Sequence, residues 1–145
     1  MEKYPSRFSS VSDVFDQLLG KDKPAFIDGG QRTSLQDAIA IIHQAGGIAV
    51  LAHPGYYQER LLSILDFFLT VGGDGIEGYY VYSSSFALIG ATETNTYIQK
   101  LAKKKKLLLT GGSDYHGHFK TVKLGEAQLP LPEFQKVQQK INTIK

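Results

Sequence analysis

The stretch GGIAVLAHPG, residues 46–55, decides how this chain is read. Residues 48–52 form an unbroken apolar run, too short for a typical helix and lacking the in–out alternation of a half-exposed strand. The pattern predicts a strand buried on both faces. Gly46-Gly47 closes whatever precedes it, and Pro54-Gly55 halts the strand, which leaves His53 at its carboxyl end.

Working outward, the residues before this strand carry Leu35, Ala38, Ile39, Ile42 and Ala45 on one helical face, with Ser34 as the expected cap. After it, helical spacing over about 58–71 ends at Gly72-Gly73, and a second apolar strand runs over 75–80. A polar helix over about 93–105 leads to a third strand over 107–110 and then to the polar cluster Gly111-Gly112-Ser113-Asp114-Tyr115-His116-Gly117-His118. A last amphipathic helix is expected over about 132–144, with Pro130 at its entry. Near the start, Val11, Val14, Phe15, Leu18 and Leu19 predict a short helix over 9–19 stopped by Gly20, and 21–33 reads as a connection.

Short buried strands alternating with helices of ten or more residues predict an α/β fold with about three parallel strands, because antiparallel strands need no such crossovers. Three parallel strands leave two open edges, so something is expected to complete the sheet. A second copy, another chain or a further stretch of the same gene would serve.

Composition narrows the chemistry. The chain has 145 residues, one domain's worth, with 42% apolar and 21% charged residues and a net charge of +2, which argues against disorder and against bulk electrostatic attraction as the basis of function. It contains no cysteine, so imidazole and carboxylate are the strong metal ligands on offer. No apolar run approaches the roughly 20 residues that span a bilayer, and residues 1–10 lack a signal-peptide core. The expected location is cytoplasmic, with no membrane partner.

Ligands of α/β folds bind at the carboxyl ends of the strands. His53, Asp114 and His116 all fall there, and two imidazoles with one carboxylate suit Zn²⁺, Mn²⁺ or Fe²⁺ with positions left for water and substrate. Such a metal acidifies water and clamps phosphoryl oxygens. His118 completes an H-x-H but reads more simply as a surface residue, and Ser113 lacks a general base. His43 reads as a packed or helix-end histidine, and Glu77 as a strand residue that could support a metal ligand but more simply needs a hydrogen-bond partner. The run Lys103 to Lys106 could attract phosphates but reads more simply as a solvated helix end. Tyr56, Tyr57, Tyr79, Tyr80 and Tyr82, some of them near strand ends, could stack on a nucleobase, though packing and hydrogen bonding account for most of them equally well.

Taken together, AIAIIHQAGGIAVLAHPG (38–55), GGDGIEGYY (72–80) and LAKKKKLLLTGGSDYHG (101–117) resemble the later motifs of the PHP (polymerase and histidinol phosphatase) superfamily. The nearest flavour is that of bacterial members acting on nucleotide phosphates and RNA 5′ ends. The resemblance covers about 24–125, and SSVSDVFDQLLGKDKPAF (9–26) looks like the end of the helical insertion that precedes the His-Pro motif there. It implies two segments, 1–23 as the end of that insertion with a linker and 24–145 as the C-terminal part of a distorted (β/α)7 barrel. It also implies a multi-metal centre of Mn²⁺, Zn²⁺, Fe²⁺ or Mg²⁺ that hydrolyses phosphoesters, with His53, Asp114 and His116 at ligand positions. The family's earlier ligands begin with an H-x-H at the first strand, and no stretch before His53 supplies them. Tyrosine at 56 and 57 replaces the arginine often found after the His-Pro motif.

The expectation is therefore a metal-dependent phosphoesterase acting on a phosphorylated small molecule, a nucleotide or a nucleic-acid 5′ end. This chain would be one part of it, inactive until a copy of itself or a complementary N-terminal half completes the barrel. The alternative is a noncatalytic remnant kept as a binding or interaction module. An amidohydrolase-like reading, with His116 and His118 as the H-x-H, would need that motif at the first strand.

Overall fold

The computed structural model describes residues 8–27, 29–30, 32–82, 89–117 and 122–144, and divides into two compact units, Met1–Thr33 and Ser34–Lys145. In the first unit, Ser10 caps α1 (Val11–Val14) by accepting the Asp13 N–H, and a π-helical turn over Phe15–Leu19 follows. The Gly20 N–H donates to the Phe15 carbonyl at 2.7 Å, which closes the wider turn and ends it. The helix expected over 9–19 is thus present, with its second half loosened.

The second unit is α/β. Three parallel strands, β1 (Val50–Leu51), β2 (Gly75–Tyr80) and β3 (Leu108–Gly112), lie in the order β1-β2-β3 and alternate with helices. The helices are α2 (Leu35–Gln44), α3 (Leu61–Thr70), α4 (Ala91–Lys105) and α5 (Leu131–Ile144). Ser34 caps α2 as expected, its hydroxyl accepting the Asp37 N–H at 3.0 Å. The core joins Leu61, Leu65 and Phe68 of α3 and Ile98, Leu101 and Ala102 of α4 to Leu51, Ile76 and Tyr80 of the sheet, with Ile39 of α2. Among the described residues no helix is long and apolar enough to cross a membrane.

Three elements differ from the pattern, the simplest being the third strand, expected over 107–110 and found over Leu108–Gly112. The strand expected over 48–52 narrows to Val50–Leu51, because the Ala49 N–H donates to the Asp74 side chain instead of to a neighbouring strand. The helix expected from about 58 starts at Leu61, since 3₁₀ turns occupy Pro54–Arg60 and Gln58 adopts φ 49°, ψ −127°, outside the helical region.

Asp74 ties together the amino-terminal end of the sheet. One carboxylate oxygen accepts the Ala49 N–H at 2.9 Å and meets His43 Nε2 at 2.7 Å, while Lys140 Nζ of α5 lies 3.7 Å from the other. His43 is accounted for by this contact at the end of α2. Asp74→Ala is expected to destabilise the protein by about 2 kcal/mol, since it strands the Ala49 donor. A urea midpoint unchanged from the parent would refute that.

Candidate metal centre

The chain leaves β1 at Leu51 and turns at once. His53 adopts φ 32°, ψ 54°, a left-handed conformation uncommon for a side-chain-bearing residue, and Pro54 then starts the 3₁₀ turns. Two contacts hold this turn against β2 and the residues just after it. The His53 N–H donates to Glu77 Oε2 at 2.6 Å, and the buried Gly55 N–H donates to the Tyr82 hydroxyl at 2.9 Å. A Cβ at position 55 would come within 2.6 Å of Thr94 and 2.7 Å of the Tyr82 ring, so the His-Pro-Gly turn needs glycine for space.

β3 delivers the second group. After Gly112 comes the buried Ser113, and Asp114 then adopts φ 52°. Tyr80, at the carboxyl end of β2, donates its hydroxyl to Asp114 Oδ2 at 2.9 Å. Its ring lies 5.8 Å from the His53 ring and 5.7 Å from Tyr56, which itself lies 5.6 Å from His53. His53 and Asp114, distant in sequence, therefore both adjoin Tyr80 at the carboxyl ends of the strands.

The electrostatics follow from this crowding. Burial pushes the Glu77 carboxyl above the usual carboxylate range and the Asp114 charge adds to the rise, while the His53 N–H and the His53 charge oppose it. Burial first, then hydrogen bonding with Tyr56 and Asp114, pushes the Tyr80 hydroxyl well above the ordinary tyrosine value, and burial does the same for Tyr82. Both tyrosines remain protonated donors across the ordinary pH range.

The α4 helix holds β2 in place beyond the point where β1 stops. Asn95 accepts the Tyr80 N–H at 3.1 Å and donates to the Tyr80 carbonyl at 2.8 Å, and Gln99, one turn later, donates to the Gly78 carbonyl at 2.9 Å. Sequence reasoning passed over both amides; their i, i+4 spacing on a polar helix beside a strand was the available signal. For Tyr80 the sequence left base stacking, packing and hydrogen bonding open, and the structure gives its hydroxyl a hydrogen bond to Asp114.

His116 lies on the same loop as Asp114, its ring half exposed, and its Nδ1 meets the Asp114 carbonyl at 2.6 Å. A carbonyl only accepts, so Nδ1 carries the proton and Nε2 of the neutral ring is left as an acceptor. Ser113 has no hydrogen bond to a histidine among the described residues, which leaves it without an activating base. His118 lies outside the described residues.

Donor chemistry at the rim fits a divalent cation. The His53 Nδ1 is buried with no hydrogen-bond partner among the described residues, a condition that ordinarily costs about 1–3 kcal/mol. A cation at the ring would offset that cost, and His116, with its other nitrogen donating to a carbonyl, has the arrangement usual for metal-ligating histidine. Among the described residues, no three His, Asp or Glu side chains are gathered closely enough to hold a metal ion by themselves.

Comparison with known proteins places this geometry in context. No family model matches the chain. It is 32% identical over 127 residues to the 5′-3′ exoribonuclease Rnm of Escherichia coli, a match covering 86% of this chain and 40% of that protein. It is 39% identical over 109 residues to a 3′,5′-nucleoside bisphosphate phosphatase of Chromobacterium violaceum, covering 71% of this chain and 34% of that protein. Among solved structures, a protein assigned as a metal-dependent phosphoesterase from Bifidobacterium adolescentis superposes with TM-score 0.67 at 29% identity, over 89% of this chain and 44% of that one. An amidohydrolase from Chromobacterium violaceum, with bound sulfate and no metal, superposes with TM-score 0.64 at 28% identity over the same shares. The chain thus spans between about a third and two fifths of the length of these curated relatives. Its strand-end motifs, its parallel sheet and these relationships together show that the chain belongs to the PHP-type phosphoesterase family.

Proposed function

We propose that this chain is one part of a metal-dependent phosphoesterase acting on nucleotide or nucleic-acid phosphates, with His53, Asp114 and His116 as metal ligands. The meeting of His53 and Asp114 around Tyr80, at the carboxyl ends of the strands, carries this reading. Two further features support it. Both residues are held at positive φ, which costs roughly 1–3 kcal/mol apiece, and such strain clusters at functional sites. The His53 Nδ1 is also buried without a partner among the described residues, and the His116 Nδ1 donates to a carbonyl, a contact common among metal-ligating histidines. The relatives named as an exoribonuclease and a nucleoside bisphosphate phosphatase point to the substrate class.

Each side chain has a task in this scheme. Tyr80 fixes one oxygen of Asp114 by donating to it, and Glu77 fixes the His53 backbone by accepting from it. The Asp114 carbonyl sets the tautomer of His116. A divalent cation held there supplies Lewis acidity, lowering the pKa of water and offsetting phosphoryl charge. Mn²⁺, Zn²⁺, Fe²⁺ and Mg²⁺ are the candidates, imidazole favouring the first three. Beside the rim, a cavity of about 420 Å³ lined by Tyr80, Tyr82 and Asn95 offers room for the organic part of a substrate.

In the same reading, 24–145 form the C-terminal part of a distorted (β/α)7 barrel and 1–23 end a helical insertion. A complementary half or a second copy adds the remaining ligands. The purified chain is then expected to bind Mn²⁺ or Zn²⁺ at micromolar or tighter concentration in a calorimetric titration. It should nevertheless hydrolyse 5′-phosphorylated nucleotides barely above background. Robust Mn²⁺-dependent turnover by the monomer would overturn the incompleteness, and affinity no better than millimolar would favour a noncatalytic binding module.

A further inference from the structure

At the opposite end of β3 from Asp114, the carboxyl end of α4 and one face of α5 enclose a groove of about 530 Å³. Lys103 and Lys106 line it from α4 and its cap, and Lys136 and Lys140 line it from α5, over a floor that includes Leu107 and Leu108. On α5 the lining residues 136, 139, 140 and 143 follow i, i+3, i+4, i+7 spacing, so one face of that helix is turned to the groove.

The α4 dipole accounts for lysines in its own last turn. It does not account for two more lysines brought up to face them from another helix. Lys136 is paired with Glu133 at 2.8 Å and Lys140 with Asp74 at 3.7 Å, whereas Lys103 and Lys106 have no ion pair among the described residues. Only Lys103 and Lys106 are left without a carboxylate among the described residues, and an anion in the groove would offset their mutual repulsion.

We infer that this groove binds the phosphodiester backbone of single-stranded nucleic acid, at a site separate from the His53–Asp114 rim. The lysines, two of them ion-paired and two not among the described residues, are flexible point charges around the groove, and no arginine is among its lining residues. That arrangement suits a row of phosphates, and the leucine floor gives base faces an apolar surface.

The test is fluorescence anisotropy with the whole chain and a labelled oligouridylate of about a dozen nucleotides, in EDTA, from about 50 to 200 mM salt. K103Q/K106Q removes the two unpaired groove charges, and K100Q/K104Q removes the same number of charges from α4 outside the groove. Glutamine retains helix propensity, so both should fold, and circular dichroism checks this. The groove pair should weaken binding at least about fivefold and lower the salt slope by about 1.4, at roughly 0.7 per phosphate contact. The control pair should stay within about twofold. Equal weakening by both pairs, absence of salt-dependent binding, or equally effective competition by polyglutamate would each overturn the inference. With metal chelated, the result is independent of the phosphoesterase reading.

Discussion

Asp114→Asn is expected to lower the Mn²⁺ affinity of the chain by at least about 100-fold, or about 2.8 kcal/mol at 1.4 kcal/mol per decade. The substitution removes a full negative charge and one hard oxygen donor, and Asn leaves only a neutral carbonyl in its place. It spares the fold, because the Tyr80 hydroxyl that donates to Asp114 can donate equally to an amide oxygen. Tyr80→Phe is the graded companion. It keeps the carboxylate and removes the donor that orients it, so a loss of about 10-fold is expected, the scale of supporting contacts in metal sites. Calorimetric titration of both variants, with circular dichroism to verify folding, separates the roles. Asp114→Asn binding Mn²⁺ within about threefold of the parent would remove Asp114 from the centre.

Gly55→Ala should destabilise the protein by about 3 kcal/mol, the upper part of the usual range for overpacking. The added methyl would meet the Tyr82 ring at 2.7 Å and Thr94 at 2.6 Å, and both residues are buried, so neither gives way easily. Relaxation would push the turn outward and carry His53 with it. Tyr82→Phe provides the contrast, since it keeps the ring and removes only the acceptor of the Gly55 N–H, at an expected cost of about 1.5 kcal/mol. Urea unfolding of the two variants measures the difference. A Gly55→Ala midpoint equal to that of the parent would show that the turn is not packed in this way.

These expectations differ in how much of them the chain displays in one dimension. Ser34 and Ser10 as caps, the apolar run before His53 and the break at Gly72-Gly73 are local signals, and local physics decided them. The helix start displaced to Leu61 was not local. Nothing between 54 and 60 announces that Gly55 is bonded to a tyrosine 27 positions later, or that Gln58 leaves the helical region.

The amino-acid order by itself determined the α/β class, the alternation of strands and helices, and the placing of His53 and Asp114 immediately after strands, since periodicity and turn residues act over a few positions. Tertiary structure alone decided that these two residues share Tyr80, that Glu77 holds the His53 backbone, and that lysines of α4 and α5 line one groove. The physical reason is that strand order and helix docking are global outcomes of burying Leu65, Phe68, Ile76 and Ile98 together, and side chains far apart along the chain meet only once that core has formed.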